Sequence, residues 1–137
     1  PGLATGHGAR ADSLVKRHSL PAVHPIHAGL PAQWMAADLE VVRFPRGIAP
    51  DLAAKVTILS YTTDPDPPAG EAPLQHPVEW TTSYGSGRIY GTTYGHVWDD
   101  QAEPEGMRCA AFQETLVRAL KWCAGRAPGS GVPSDFP

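Results

Sequence analysis

Hydrophobic and polar positions alternate in short blocks, with one longer block towards the C-terminal end. Residues 55–61 (KVTILSY) give the clearest pattern: Val56, Ile58 and Ser60 oppose Thr57, Leu59 and Tyr61. This β-branched alternation predicts a strand, and apolar residues on both faces predict cover on both sides. Residues 38–44 predict another, with Leu39, Val41 and Arg43 on one face and Glu40, Val42 and Phe44 on the other, ended by Pro45-Arg46-Gly47. Residues 77–83 and 88–94 predict two more, and Tyr84-Gly85-Ser86-Gly87 between them suits a hairpin turn. The longer block, 107–124, changes period. Phe112, Leu116, Ala119, Leu120 and Cys123 make one apolar stripe, and Arg108, Gln113, Glu114, Arg118 and Lys121 fall largely off it, which predicts an amphipathic helix capped by Gly125.

The remaining segments carry less pattern. Residues 1–19 are polar and glycine-rich with no period, and residues 21–31 hold prolines that exclude a regular helix. Residues 32–37 (AQWMAA) suit one helical turn. Residues 62–73 and 99–105 read as surface loops, the second acidic through Asp99, Asp100, Glu103 and Glu105. Residues 127–137 read as a flexible tail or linker after a domain at 1–126.

Composition narrows the classes. The 14 Gly and 15 Pro, about a fifth of the chain, agree with short elements and many turns, while 42% hydrophobic and 18% charged residues suit a globular domain. A net charge of −3 without any Lys/Arg cluster argues against nucleic acid as partner. No apolar run approaches the roughly 18 residues of a membrane helix. Cys109 and Cys123 lie too far apart along one helix to bond to each other. The chain opens Pro1-Gly2-Leu3 with no leader pattern, which reads as a processed or fragmentary start and, taken at face value, as a cytoplasmic protein.

Chemistry concentrates on histidines and aromatics. His96 follows Gly95 where the chain leaves a strand, a place where a sheet exposes ligand-binding groups, and imidazole moves protons near neutral pH. His7 sits between Gly6 and Gly8 and is the candidate second arm of that pocket. The acidic loop offers a carboxylate to orient His96. His24 and His27 flank Pro25, which denies them one helical face as metal ligands. Trp80, Tyr84 and Trp98 are aromatic faces that can stack on a sugar ring, Trp98 first because it lies outside the strands. Arg88 can pair with Glu79 across the hairpin or bind a ligand anion. No motif specifies a metal, a cofactor or an oligomeric state.

From Thr5 to Arg126 the segments also resemble, in order, the ThuA-like (trehalose utilisation) family. The stretches are Thr5-Gly6-His7-Gly8, His24-Pro25-Ile26, Gly29-Leu30-Pro31 with Trp34, Asp38-Leu39-Glu40, Val56 to Tyr61, His76-Pro77-Val78-Glu79-Trp80-Thr81, Tyr84-Gly85-Ser86-Gly87-Arg88-Ile89, Thr92-Thr93-Tyr94-Gly95-His96 and Leu120-Lys121-Trp122-Cys123-Ala124-Gly125-Arg126. The resemblance implies an α/β fold of the class I glutamine amidotransferase type: a three-layer, flavodoxin-like, parallel-leaning sheet, here its C-terminal portion and incomplete at the N-terminus. It implies a sugar-type small-molecule ligand, trehalose or a related sugar, keto-sugars included. The alternatives are a non-catalytic carbohydrate-binding or accessory domain, or an inactive fragment. Neither cysteine lies on a strand-to-helix turn, so glutamine hydrolysis is not expected.

Overall fold

A computed structural model describes residues 6–43, 55–67 and 69–137. Thr5, Phe44 and the Pro45-Arg46-Gly47 stop lie outside those residues.

Five strands form one sheet in the order β2-β1-β3-β4-β5: β1 (Gly6–Arg17), β2 (Gln33–Arg43), β3 (Thr57–Thr63), β4 (Gln75–Tyr84) and β5 (Gly87–Thr92). All four pairings are antiparallel. The chain is therefore mixed α/β, but the described residues do not build the parallel-leaning, three-layer sheet expected above. Among the described residues two helices follow, α1 (Glu105–Arg108) and α2 (Ala110–Cys123), and a 3-10 turn spans Pro25–His27.

The expected β4–β5 hairpin forms, turning at Gly85 with φ 58°. Strand β3 forms two residues later than its pattern suggested. Two segments differ more. From Gln33 on, the 32–37 segment is strand, not a helical turn, because Trp34 and Ala36 point into the core while Gln33 and Met35 face out. The opening segment is the long strand β1. Its period of two is carried by exposed Arg10, Asp12, Leu14 and Lys16 against buried Ser13 and Val15, so the apolar signal is nearly absent.

The predicted helix is interrupted. Cys109 is extended (φ −60°, ψ 123°), closing α1 and opening α2. The break lets Gly106 lie close to the carbonyl oxygens of Ala37 and Asp38, while Ala111 and Phe112 enter the core. The buried face of α2 is Ala111, Phe112, Thr115, Arg118 and Ala119, whereas Leu120 is 62% exposed. Arg118 is thus inside the face, not off it. Its guanidinium donates to the carbonyl oxygens of Ile26, Ala28 and Gly131 and to Glu114, oxygens that burial would otherwise strand. Helix α2 ends as expected: Gly125 has φ 74°, its N–H donates to Trp122 and that of Arg126 to Lys121.

The main core gathers Val15, Trp34, Leu39, Val78, Tyr94 and Phe112; a smaller one joins Ile26, Leu59 and Ala119. Each large side chain buried there contributes about 1.5–3 kcal/mol. The Trp34 indole N–H donates to the Tyr94 hydroxyl at 2.8 Å, which satisfies both polar ends inside the core. Residues 127–137 form no helix or strand, yet Phe136 packs edge-on to Trp34 with ring centres 5.8 Å apart. No helix among the described residues is long and apolar enough to cross a membrane.

Candidate active site

Two β-bulges shape one end of the sheet. His7 pairs with Val42 and Arg10 with Glu40, so β1 carries one extra residue between these pairs. Three steps would normally put His7 and Arg10 on opposite faces. The bulge puts both on the face that carries Glu40. Gly8 lies in it, and a Cβ there would come within 2.9 Å of Val41 and 2.8 Å of Asp64. The second bulge is on β2 between Leu39 and Ala36, and it holds Asp38 in the left-handed region at φ 48°. A non-glycine residue in that conformation is strained, and such strain collects at functional sites.

Glu40 is the centre. It is 4% exposed, and both its oxygens are engaged by imidazoles: His7 Nδ1 meets Oε1 and His96 Nδ1 meets Oε2. His96 is brought there from the far side of the sheet by Gly95, whose φ of 78° turns the chain after β5. A Cβ at Gly95 would approach Phe112 to 2.8 Å and Met107 to 3.0 Å, so the turn is packed as well as bent. His96 stacks on Trp98 with ring centres 4.1 Å apart and planes 8° apart. The Arg10 guanidinium also lies over Trp98, at 4.5 Å.

Asp38 anchors this layer. It accepts from Arg10 Nε at 2.6 Å, from Arg10 Nη2 at 3.2 Å and from Gln101 Nε2 at 2.5 Å. The bond from Arg10 holds the Asp38 carboxyl below its ordinary range, and the same bond raises the guanidinium. Gln101 also accepts from the Trp98 backbone N–H, which ties the Trp98 loop to β2.

Chemically, a carboxylate that takes Nδ1–H from two imidazoles fixes both tautomers. Each ring then presents Nε2, able to accept a proton when neutral and to donate one when charged. Direct contact between each Nδ1 and a carboxylate oxygen suits hydrogen bonding better than shared metal ligation, and no group of three or more His, Cys, Asp or Glu among the described residues is arranged to hold a metal ion.

The structure brings His7, His96 and Trp98 together around Glu40, and leaves the other candidates elsewhere. Tyr84 sits at the hairpin turn, 86% exposed. Trp80 lies against Gly91, where a Cβ would come within 2.5 Å of its ring. Arg88 does not pair with Glu79. It donates to the Trp122 carbonyl at 2.7 Å and lies over the Trp122 ring, because its cross-strand partner is Ser83 while Glu79 faces Thr92. The carboxylate on His96 comes from β2, not from the acidic loop, whose Asp100 only approaches Arg10 at 3.9 Å. Glu40, Arg10, Asp38 and Gln101 were not among the site candidates of the sequence, although Asp38-Leu39-Glu40 is one of the stretches that resemble the family. The available signal was an acid set within an apolar run, Leu39-Glu40-Val41-Val42, since a buried carboxylate needs partners.

The same signal marks Glu79. It is fully buried and accepts from Ser60 at 2.6 Å, Tyr90 at 2.8 Å and His27 Nε2 at 3.0 Å. Burial alone pushes its carboxyl up, but His27, Ser60 and Tyr90 outweigh that and hold it below its ordinary value. Burial, reinforced by Glu79, pushes the Tyr90 and Tyr94 hydroxyls well above theirs.

No protein-family model and no curated protein matches the chain. Among solved structures it is similar to a protein of Parabacteroides merdae ATCC 43184 named as ThuA-like, with 29% identity and a TM-score of 0.72 over 96% of this chain. The chain spans 45% of that protein's length.

Proposed function

Because this chain is ThuA-like in sequence and in fold, we propose that the His7–Glu40–His96 cluster is its working site and performs acid–base chemistry on a sugar-type substrate. The ThuA-like neighbour links the chain to a trehalose-utilisation-related family. The choice of site rests on one observation: a single buried carboxylate engages the Nδ1 atoms of both histidines. One imidazole takes a proton from a substrate hydroxyl, or from a carbon beside a keto group, through Nε2. The other returns a proton through its own Nε2–H, so the site ends with the protons it began with. Trp98 stacks behind His96 and limits its rotation, and Arg10 with Asp38 fixes Trp98 in turn. In this reading the three-layer amidotransferase-like sheet belongs to the ThuA-like domain at its full length. The exposure of His7, whose side chain is 75% accessible, also suits a carbohydrate-binding domain that leaves its ligand unchanged.

Glu40→Gln tests the proposal. The amide keeps the shape but offers one acceptor oxygen in place of two, so one imidazole loses its anchor. Turnover of trehalose-type and keto-sugar substrates by the protein should fall by about 10²–10⁴-fold. Unchanged turnover in a folded variant rejects the site. Calorimetric sugar binding without turnover in the unsubstituted protein assigns the non-catalytic role.

A further inference from the structure

Strand β1 carries His7 near one end and Arg17 at the other, roughly 30 Å away at the rise of an extended strand. At the Arg17 end lies a separate cavity of about 130 Å³, walled by Arg17, His18, Ser19, His24 and His27 over Leu59. Three imidazoles, a guanidinium and a hydroxyl around so small a volume form a concentration of donors that the Glu40 cluster does not use.

The donors are partly committed, and what remains is informative. His24 Nδ1 accepts from the Ile26 N–H at 3.3 Å, which leaves Nε2–H as the donor of that ring. The ring is held in place edge-on to Trp122, with ring centres 5.0 Å apart. Arg17 spends Nη1 on the Leu30 carbonyl at 3.0 Å, one of the five N–H groups of its fork. His27 is 1% exposed and gives Nε2 to Glu79, while its Nδ1 is buried with no hydrogen-bond partner. In the Glu79 network every other polar group is satisfied, so this nitrogen is its one open valence. A buried unpaired polar atom costs about 1–3 kcal/mol, which an ordered water or a bound group reaching the ring offsets.

Size and donor type set the ligand class. The cavity is small beside the roughly 300–1,000 Å³ pockets that enclose drug-sized ligands, so it suits a small polar group. Arg, His and Ser donors converging on such a volume match a tetrahedral oxyanion. A hydrogen phosphate can accept from Arg17 and His24, which line the cavity. We propose that this cavity binds a phosphate-type oxyanion, free or as a phosphomonoester, held by Arg17 and His24 beside the His27 ring.

The test titrates the protein with inorganic phosphate and, separately, with glycerol phosphate, following the imidazole nitrogen resonances of His24 and His27 and the heat of binding. Saturable shifts at both rings are expected. Burial now holds His24 below the ordinary imidazole value, so its titration midpoint should rise as an anion binds. Arg17→Leu should weaken binding by about ten-fold or more, and Glu40→Gln should leave it unchanged, which separates this site from the proposed sugar site. A response to glycerol phosphate alone assigns the cavity to phosphorylated ligands and sustains the proposal. No saturable shift with either probe overturns it, as does binding that survives Arg17→Leu in a folded variant. The ring resonances are read on the unsubstituted chain, so the outcome does not depend on the variant folding.

Discussion

Three acids and two histidines show how a few buried ionisable residues set the acid limit of this protein. Asp38, Asp64 and Glu79 all titrate below their ordinary values. For Asp38 the cause is the Arg10 bond. For Asp64 and Glu79 burial opposes the shift, and Arg43 and His27 with their neighbours overcome it. Such carboxylates contribute stability that is present above their unfolded values and is lost as pH falls through the folded ones. His24 and His76 are lowered too, chiefly by burial. A histidine held neutral costs nothing at high pH and begins to destabilise the fold as pH drops below its unfolded value of 6.5. The histidines act first on acidification and the carboxylates later, and both act in the same direction. The urea midpoint should therefore fall as pH is lowered from about 7.5 to about 5, before carboxylates titrate, and His24→Phe should flatten part of that slope. A midpoint independent of pH over that range contradicts the assignment. At this scale the sequence was half legible. His7 and His96 stood out through their glycine neighbours, whereas Glu40 was only one position of a strand face with Val42 and Phe44, and Glu79 only a cross-hairpin partner for Arg88. Period alone does not distinguish a buried acid with three donors from an exposed one.

Among the elements, the bulges and turns place the chemistry, and they are the features that hydrophobic periodicity does not register. A bulge adds one residue without altering composition, so neither the His7–Arg10 bulge nor the one at Asp38 left a mark in the pattern. The hairpin, β3 and the α2 cap were legible because glycine pairs and β-branched runs signal them directly. The helix break at Cys109 was not, since one extended residue leaves the stripe almost in phase. Two glycines at similar φ separate conformational from packing costs. Gly125→Ala at φ 74° has open space for its Cβ, so it should cost about 1 kcal/mol and leave activity alone. Gly95→Ala at φ 78° meets Phe112 and Met107 as well and should cost about 2–4 kcal/mol while displacing His96. Equal losses for the two in urea unfolding contradict the packing role given to Gly95.

For the molecule as a whole, Arg118 is the tie between the sheet-backing helix, the 3-10 turn and the C-terminal stretch. It is 1% exposed, and its fork serves three carbonyl oxygens from two segments remote from α2. Arg118→Leu preserves bulk but strands those oxygens, and should lower stability by about 2–3 kcal/mol. Arg118→Lys should recover little of it, because a single ammonium cannot span the fork's acceptors. Differential scanning calorimetry of the two variants checks this, and a leucine variant as stable as the parent denies the tie. The α/β class and the ThuA-like resemblance were open to the sequence, whereas the antiparallel course of the sheet was not. Strand direction depends on which segments meet, and β1, which joins β2 to β3, carries almost no apolar signal.

The placement of the Glu40 cluster also has a kinetic meaning. Its two histidines arrive from distant parts of the chain, His7 on β1, thirty-three residues before the carboxylate, and His96 beyond β5 at the opposite edge of the sheet from β2. Contacts between distant chain segments close late in folding, after the local hairpin and helix have formed. The proton-transfer pair is therefore complete only once the long-range strand pairings that carry β1 and the β5 exit have closed around Glu40.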